Sequence, residues 1–133
     1  MIIVPTDIES ANKIALISTL GIKLKEIGDD YAIMEVLVED KHANYLGGAH
    51  GGLIAALIDS VSFFPKPILP SGVAYTTINL NIHYVRPVLI GEKMIARSEI
   101  VHHGKRTVTT SVKVVNSEDK VVAHGTATLM KIP

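Results

Sequence analysis

The chain has no cysteine. That excludes disulfides, thiolate nucleophiles and Cys-type metal sites together, and it fits a reducing compartment. Net charge is missing too, because 13 Lys and Arg offset 13 Asp and Glu. A neutral chain carries no general electrostatic bias toward nucleic acid or an anionic membrane. No apolar run reaches the ~20 residues that a membrane-spanning helix needs. The longest, Leu53 to Phe64, contains Asp59. The N-terminus, Met1 to Asp7, has no basic segment followed by an apolar one, so no signal peptide is expected. These absences predict a soluble, cytoplasmic protein with no nucleic-acid or membrane partner.

What is present describes one domain spanning residues 1–133, with 47% hydrophobic and 20% charged residues. Such a chain buries a real core without disulfides or metals. Low net charge with many apolar residues also favours self-association. Thr6 or Asp7 can cap a first helix, in which Ile8, Ala11, Ile14, Ala15 and Ile17 recur at helical spacing. Gly21 ends it. Ile22–Ile27 and Tyr31–Val38 read as a hairpin around Gly28-Asp29-Asp30. Glu39 to His50 is loop.

The stretch Asn44-Tyr45-Leu46-Gly47-Gly48-Ala49-His50-Gly51-Gly52 then runs into the apolar segment Leu53–Phe64. That segment reads as a core helix, which Pro65, Pro67 and Pro70 forbid from continuing. Gly51 and Gly52 fall at its start, where backbone N–H groups lack intrahelical partners and favour an anion or a polarised carbonyl oxygen. Four β segments follow: Tyr75–Tyr84, Glu92–Val101, Thr107–Val115 and Val121–Met130. Short turns make them antiparallel neighbours. In the first, alternation puts Ile78, Leu80 and Ile82 on one face and Thr77, Asn79, Asn81 and His83 on the other. An all-apolar helix needs cover on most sides. A curved antiparallel sheet wrapped around it supplies that cover, so the fold class is α+β.

This order of elements, with this loop, resembles the hotdog fold. The glycine stretch with Asp59 inside the helix is similar to the PaaI-like acyl-CoA thioesterase family, a branch that includes the mammalian thioesterase superfamily member 2 type. The resemblance extends to Asn81-Ile82-His83-Tyr84-Val85-Arg86-Pro87 and to His102-His103-Gly104-Lys105-Arg106. It implies hydrolysis of acyl-CoA thioesters, no cofactor, and sites at the interface of a homodimer at least, with a homotetramer expected. Thioester hydrolysis needs preorganised donors for the carbonyl oxygen and a carboxylate as general base or nucleophile. The Gly51 N–H supplies the donor, since no Cβ blocks close approach. Asp59 supplies the carboxylate, and burial among Leu57, Ile58, Val61 and Phe63 would raise its basicity.

Spacing imposes a condition. Gly51 and Asp59 are eight residues apart, about 12 Å along a helix. One thioester carbon cannot meet both within one chain, so the two must come from different subunits across a two-fold axis. By position, the resemblance also assigns Asn44 to orienting substrate or nucleophile, His50 to holding the loop and carbonyl site, and Thr77 to positioning water. It places Tyr84, Arg86, His103, Gly104, Lys105 and Arg106 against the CoA nucleotide, with the three cations as phosphate partners. Plainer roles compete: Asn44 as a turn residue, His50 as a helix cap, and Lys105-Arg106 as a solvated turn. The histidines do not cluster at metal-ligand spacing. Competing functions on the same fold are a non-catalytic acyl-CoA sensor, a hydratase or dehydratase, and a hydrolase acting on acyl carrier protein.

Overall fold

The computed structural model describes residues 2–133. Asp7 starts the first helix with a capping box, accepting the Ser10 N–H at 2.8 Å. The single helix expected here is instead two short ones, α1 (Ile8–Ala11) and α2 (Ala15–Leu20). Asn12 explains the break. Its side chain accepts the Leu24 N–H at 2.7 Å and donates to the Leu24 carbonyl at 3.3 Å, docking the chain onto a neighbouring strand. Gly21 closes α2 in the left-handed region, with φ of 72°.

Strands β1 (Lys23–Ile27) and β2 (Tyr31–Leu37) form the expected hairpin. The loop that follows contains a 3₁₀ turn at Asp40–His42. Next comes the central helix α3 (Gly51–Val61), then β3 (Tyr75–Tyr84), β4 (Lys93–His103), β5 (Thr107–Val115) and β6 (Val121–Lys131). Helix α3 stops at Val61, short of the expected Phe64. Its last turn is diverted to side chains: Ser98 on β4 donates its hydroxyl to the Val61 carbonyl at 2.7 Å, and Ser62 donates to the Ile58 carbonyl at 2.8 Å.

All six strands lie in one antiparallel sheet, ordered β1-β2-β4-β5-β6-β3. Helix α3 packs against β2 to β6, with Leu53, Ile54, Leu57, Ile58 and Val61 buried. This is the hotdog arrangement. One expected neighbour pair is absent. The connection from β3 to β4 does not form a hairpin but crosses to the far side of the sheet. It is held by Ala49 N–H donating to the Val88 carbonyl and Gly91 N–H donating to the Val38 carbonyl, both at 2.8 Å. As a result β4 pairs with β2, and β3 pairs with β6 alone, as an edge strand.

Strand β3 also departs from simple alternation. Its pairing with β6 shifts at Ile78, between Thr77↔Leu129 and Asn79↔Thr128. This bulge turns Ile78 out, 51% exposed, and changes the parity of the strand. Tyr75 and Thr77 therefore share the inward face with Leu80 and Ile82, and the expectation that Ile78 lies with Leu80 and Ile82 is corrected.

Candidate active site

The glycine loop is built by its own polar side chains. Asn44 Oδ1 accepts the N–H groups of Leu46 at 2.9 Å and Gly48 at 3.1 Å, and its amide nitrogen donates to the Ala49 carbonyl at 3.4 Å. The Asn44 side chain is thus engaged in holding the loop. Gly48 is required for close approach, because an added Cβ would lie 2.8 Å from the Val88 carbonyl oxygen. Beneath the loop, His42 is buried. Its Nδ1 accepts the Glu39 N–H at 2.9 Å, which makes Nε2 the donor to the Leu20 carbonyl at 2.7 Å. Its own carbonyl accepts the His50 N–H at 2.8 Å. His42 was not a site candidate, and it serves as the rivet between loop, α2 and the start of α3.

His50 is the N-cap of α3. Its Nδ1 accepts the Gly52 N–H at 2.8 Å, and its carbonyl accepts the Leu53 N–H at 3.0 Å. Among the described residues, the Gly51 N–H has no partner and stays available at the positive end of the helix. Tyr84, at the end of β3, donates its hydroxyl to the Gly51 carbonyl at 2.8 Å. Gly51, Asn44, Tyr84 and Arg86 open onto a cleft of about 330 Å³. Arg86 donates to the Val121 carbonyl at 2.7 Å and makes no ion pair among the described residues.

Asp59 sits two turns further along α3, half-buried and facing the start of the edge strand β3. Leu57, Ile58 and Val61 are buried beneath the helix, while Ala55, Ala56, Asp59 and Ser60 are half-buried on its other face. The expectation that Asp59 is enclosed by Leu57, Ile58 and Val61 is therefore corrected: helical spacing turns those three toward the sheet, and only Phe63 shares the cavity Asp59 opens into. Thr77 donates its hydroxyl to Asp59 Oδ1 at 2.6 Å. The β3 bulge is what aims Thr77 inward to make this bond. Asp59 has no cationic partner among the described residues.

The remaining candidates divide between the two ends of α3. Tyr84 and Arg86 lie at the Gly51 end. His103, Gly104, Lys105 and Arg106 lie at the β4–β5 turn, where Gly104 N–H donates to the Thr107 carbonyl at 2.8 Å. That turn lies beside the start of β3: Lys131 N–H donates to the Arg106 carbonyl at 2.8 Å, and Lys131 pairs with Tyr75. It therefore belongs with the Thr77 and Asp59 end. Within one chain the candidates thus fall into two separate groups, and Arg86, Lys105 and Arg106 are exposed. Among the described residues, no group of three or more His, Asp or Glu side chains is placed to hold a metal ion. No helix is long and apolar enough to cross a membrane.

A second cavity, of about 300 Å³, lies against Asp59. Its walls include Ile2 to Pro5, Leu16, Phe63 and Tyr75. Burial pushes the Tyr75 hydroxyl above its ordinary range. Residue patterns missed this cavity, because Ile2-Ile3-Val4 belong to no helix or strand and come together with α2 only in the fold. The one signal they carry is a run of large apolar residues outside any element.

Residues 46–123 match the Thioesterase superfamily. Acyl-coenzyme A thioesterase 13 of Mus musculus is 34% identical over 114 residues, covering 85% of this chain and 76% of that protein. Among solved structures, a mutant of the phenylacetic acid degradation protein PaaI from Thermus thermophilus superposes with a TM-score of 0.81 at 29% identity, over 89% of this chain and 99% of that one. A Streptococcus mutans protein solved bound to acetyl-CoA superposes with a TM-score of 0.77 at 28% identity, over 84% of this chain and 88% of that one. A helix-wrapping sheet, a glycine loop at the helix start and these matches lead to one conclusion: the chain belongs to the thioesterase superfamily, as a hotdog-fold thioesterase of the PaaI-like type.

Proposed function

We propose that the protein hydrolyses acyl-CoA thioesters at two equivalent sites, each shared by two subunits. The observation that carries this reading is that one unbroken helix has at its start a Gly51 N–H without a partner among the described residues, and a Thr77-held Asp59 two turns on. At 1.5 Å per residue they are about 12 Å apart, too far for one carbonyl carbon.

The free edge of β3 supplies a way to join the half-sites. It runs for 10 residues without Pro or Lys and leaves Ile78 exposed. Such an edge is a template for another strand. Antiparallel pairing of two β3 edges about a two-fold axis near Leu80 and Asn81 would set Thr77 against the partner's Tyr84. Thr77 holds Asp59 and Tyr84 holds Gly51, so the same operation brings Asp59 toward the partner's Gly51. It also gathers Arg86 from one subunit with Lys105 and Arg106 from the other, a set of cations suited to CoA phosphates.

In this site the thioester oxygen accepts the Gly51 N–H. Asp59 takes a proton from water, and the water oxygen attacks the carbonyl carbon. The negative charge that develops on the oxygen is stabilised by the N–H at the positive helix end. The C–S bond then breaks, the thiolate takes up a proton, and acid and free CoA leave. Thr77, donating to one Asp59 oxygen, leaves the other free for water and keeps its own lone pairs to hold that water. Asn44 and His50 act one step back, by shaping the loop that presents Gly51. A homodimer is the minimum assembly for this chemistry, with a homotetramer and a cytoplasmic location as the wider expectation.

The reading is tested by thiol release from acetyl-, octanoyl-, palmitoyl- and phenylacetyl-CoA. Release from at least one, well above the uncatalysed rate, is expected. Tight binding with no release would favour the non-catalytic sensor instead.

A further inference from the structure

The cavity beside Asp59 has walls that the chemistry above does not use. Ile2, Ile3 and Leu16 are large aliphatic side chains left 69%, 82% and 61% exposed, all lining this one cavity. An apolar cluster of this kind, exposed beside a candidate catalytic carboxylate, calls for an occupant. Apart from Asp59 and Ser60, the lining is apolar but for the Tyr75 hydroxyl, and among the described residues no cation lines it to pair with a second carboxylate. The volume of about 300 Å³ is at the small end of ligand cavities.

We infer that the N-terminal segment Ile2–Pro5, with Leu16 of α2, is the wall that receives the acyl chain and sets its length. The occupant is an uncharged hydrocarbon acyl group extending from the thioester carbon at Asp59. The inference rests on Asp59 marking the reaction centre, and it adds the substrate class. Acyl groups bearing a carboxylate are disfavoured, because Asp59 would repel them and none of the described lining residues would neutralise them.

The test measures binding of non-hydrolysable 2-oxoalkyl-CoA thioethers of increasing chain length, alongside hydrolysis of the matching acyl-CoA esters. In the wild type, affinity should rise by up to about fourfold per added methylene until the cavity is full. Two variants at exposed positions challenge the wall. Ile3→Asp places a charge along it, and Leu16→Trp fills the space. Both should flatten the rise with chain length to under about twofold per methylene while melting as the wild type does. An unchanged rise in both variants would overturn the inference, as would a wild type indifferent to chain length. If the variants instead dissociate the oligomer and keep the rise, the cluster is a subunit contact and the inference falls. Graded binding without any hydrolysis would leave the wall in place and remove the hydrolase reading.

Discussion

Asp59→Asn should fold, assemble and bind acyl-CoA as the wild type does, yet lose thioester hydrolysis by about a thousandfold or more. Loss of a general base costs about 10²–10⁴ in rate, or roughly 3–5 kcal/mol of barrier. The substitution is close to isosteric, and the new amide oxygen can still accept the Thr77 hydroxyl now bonded to Asp59 at 2.6 Å. Asp59 makes no ion pair among the described residues, so its removal leaves no buried cation behind. The measurement is steady-state thiol release on the best substrate, with melting temperature and sedimentation as controls. A loss of less than about tenfold would remove Asp59 from the chemistry.

Gly51→Pro should cost about a hundred- to a thousandfold in kcat, the range for deleting one oxyanion donor. A backbone N–H can be deleted only by proline, and the position is suited to it. Gly51 is the first residue of α3, where proline's fixed φ is tolerated. His50 before it has φ −61° and ψ 139°, a conformation compatible with a following proline. The tight point is Tyr84, whose ring atoms lie 3.4 Å from an added Cβ. Gly51→Ala is therefore the control: it meets the same ring but keeps the N–H. The account expects the alanine variant to retain most activity and the proline variant to lose it. Equal losses in both would mean that crowding against Tyr84, not the missing donor, is responsible.

The parts legible in sequence were those that one residue type or one period determines. Glycines and His50 marked the start of α3, and apolar residues marked its core. Most strand ends fell within a residue or two, and β3 and β5 matched outright. The placing of Gly51 and Asp59 two turns apart on one helix was legible because helix rise converts sequence distance into length. Three features were not. The bulge at Ile78 follows from how β3 is seated on β6, and no glycine or proline in Thr76-Thr77-Ile78-Asn79 announces it. Without it Thr77 falls on the wrong face and Asp59 has no hydroxyl to hold it. The break after α1 depends on Asn12 finding the Leu24 backbone, a contact across 12 residues. The crossing after β3 depends on the glycine loop capturing Val88. Each is a tertiary contact overriding a local pattern.

The central claim is that each active site is divided between subunits, and subunit mixing tests it most directly. Asp59→Asn and Gly51→Pro chains should each retain about a percent of wild-type activity at most. Mixed in equal amounts and allowed to exchange, half the dimers are hybrids, each with one site of intact Gly51 and intact Asp59. Activity should therefore recover to about a quarter of the wild-type value, because a two-fold dimer has two equivalent sites. If both groups served a site within their own chain, every hybrid site would carry one defect. Activity would then stay at the level of the separate variants despite demonstrated exchange, and the shared site would be contradicted.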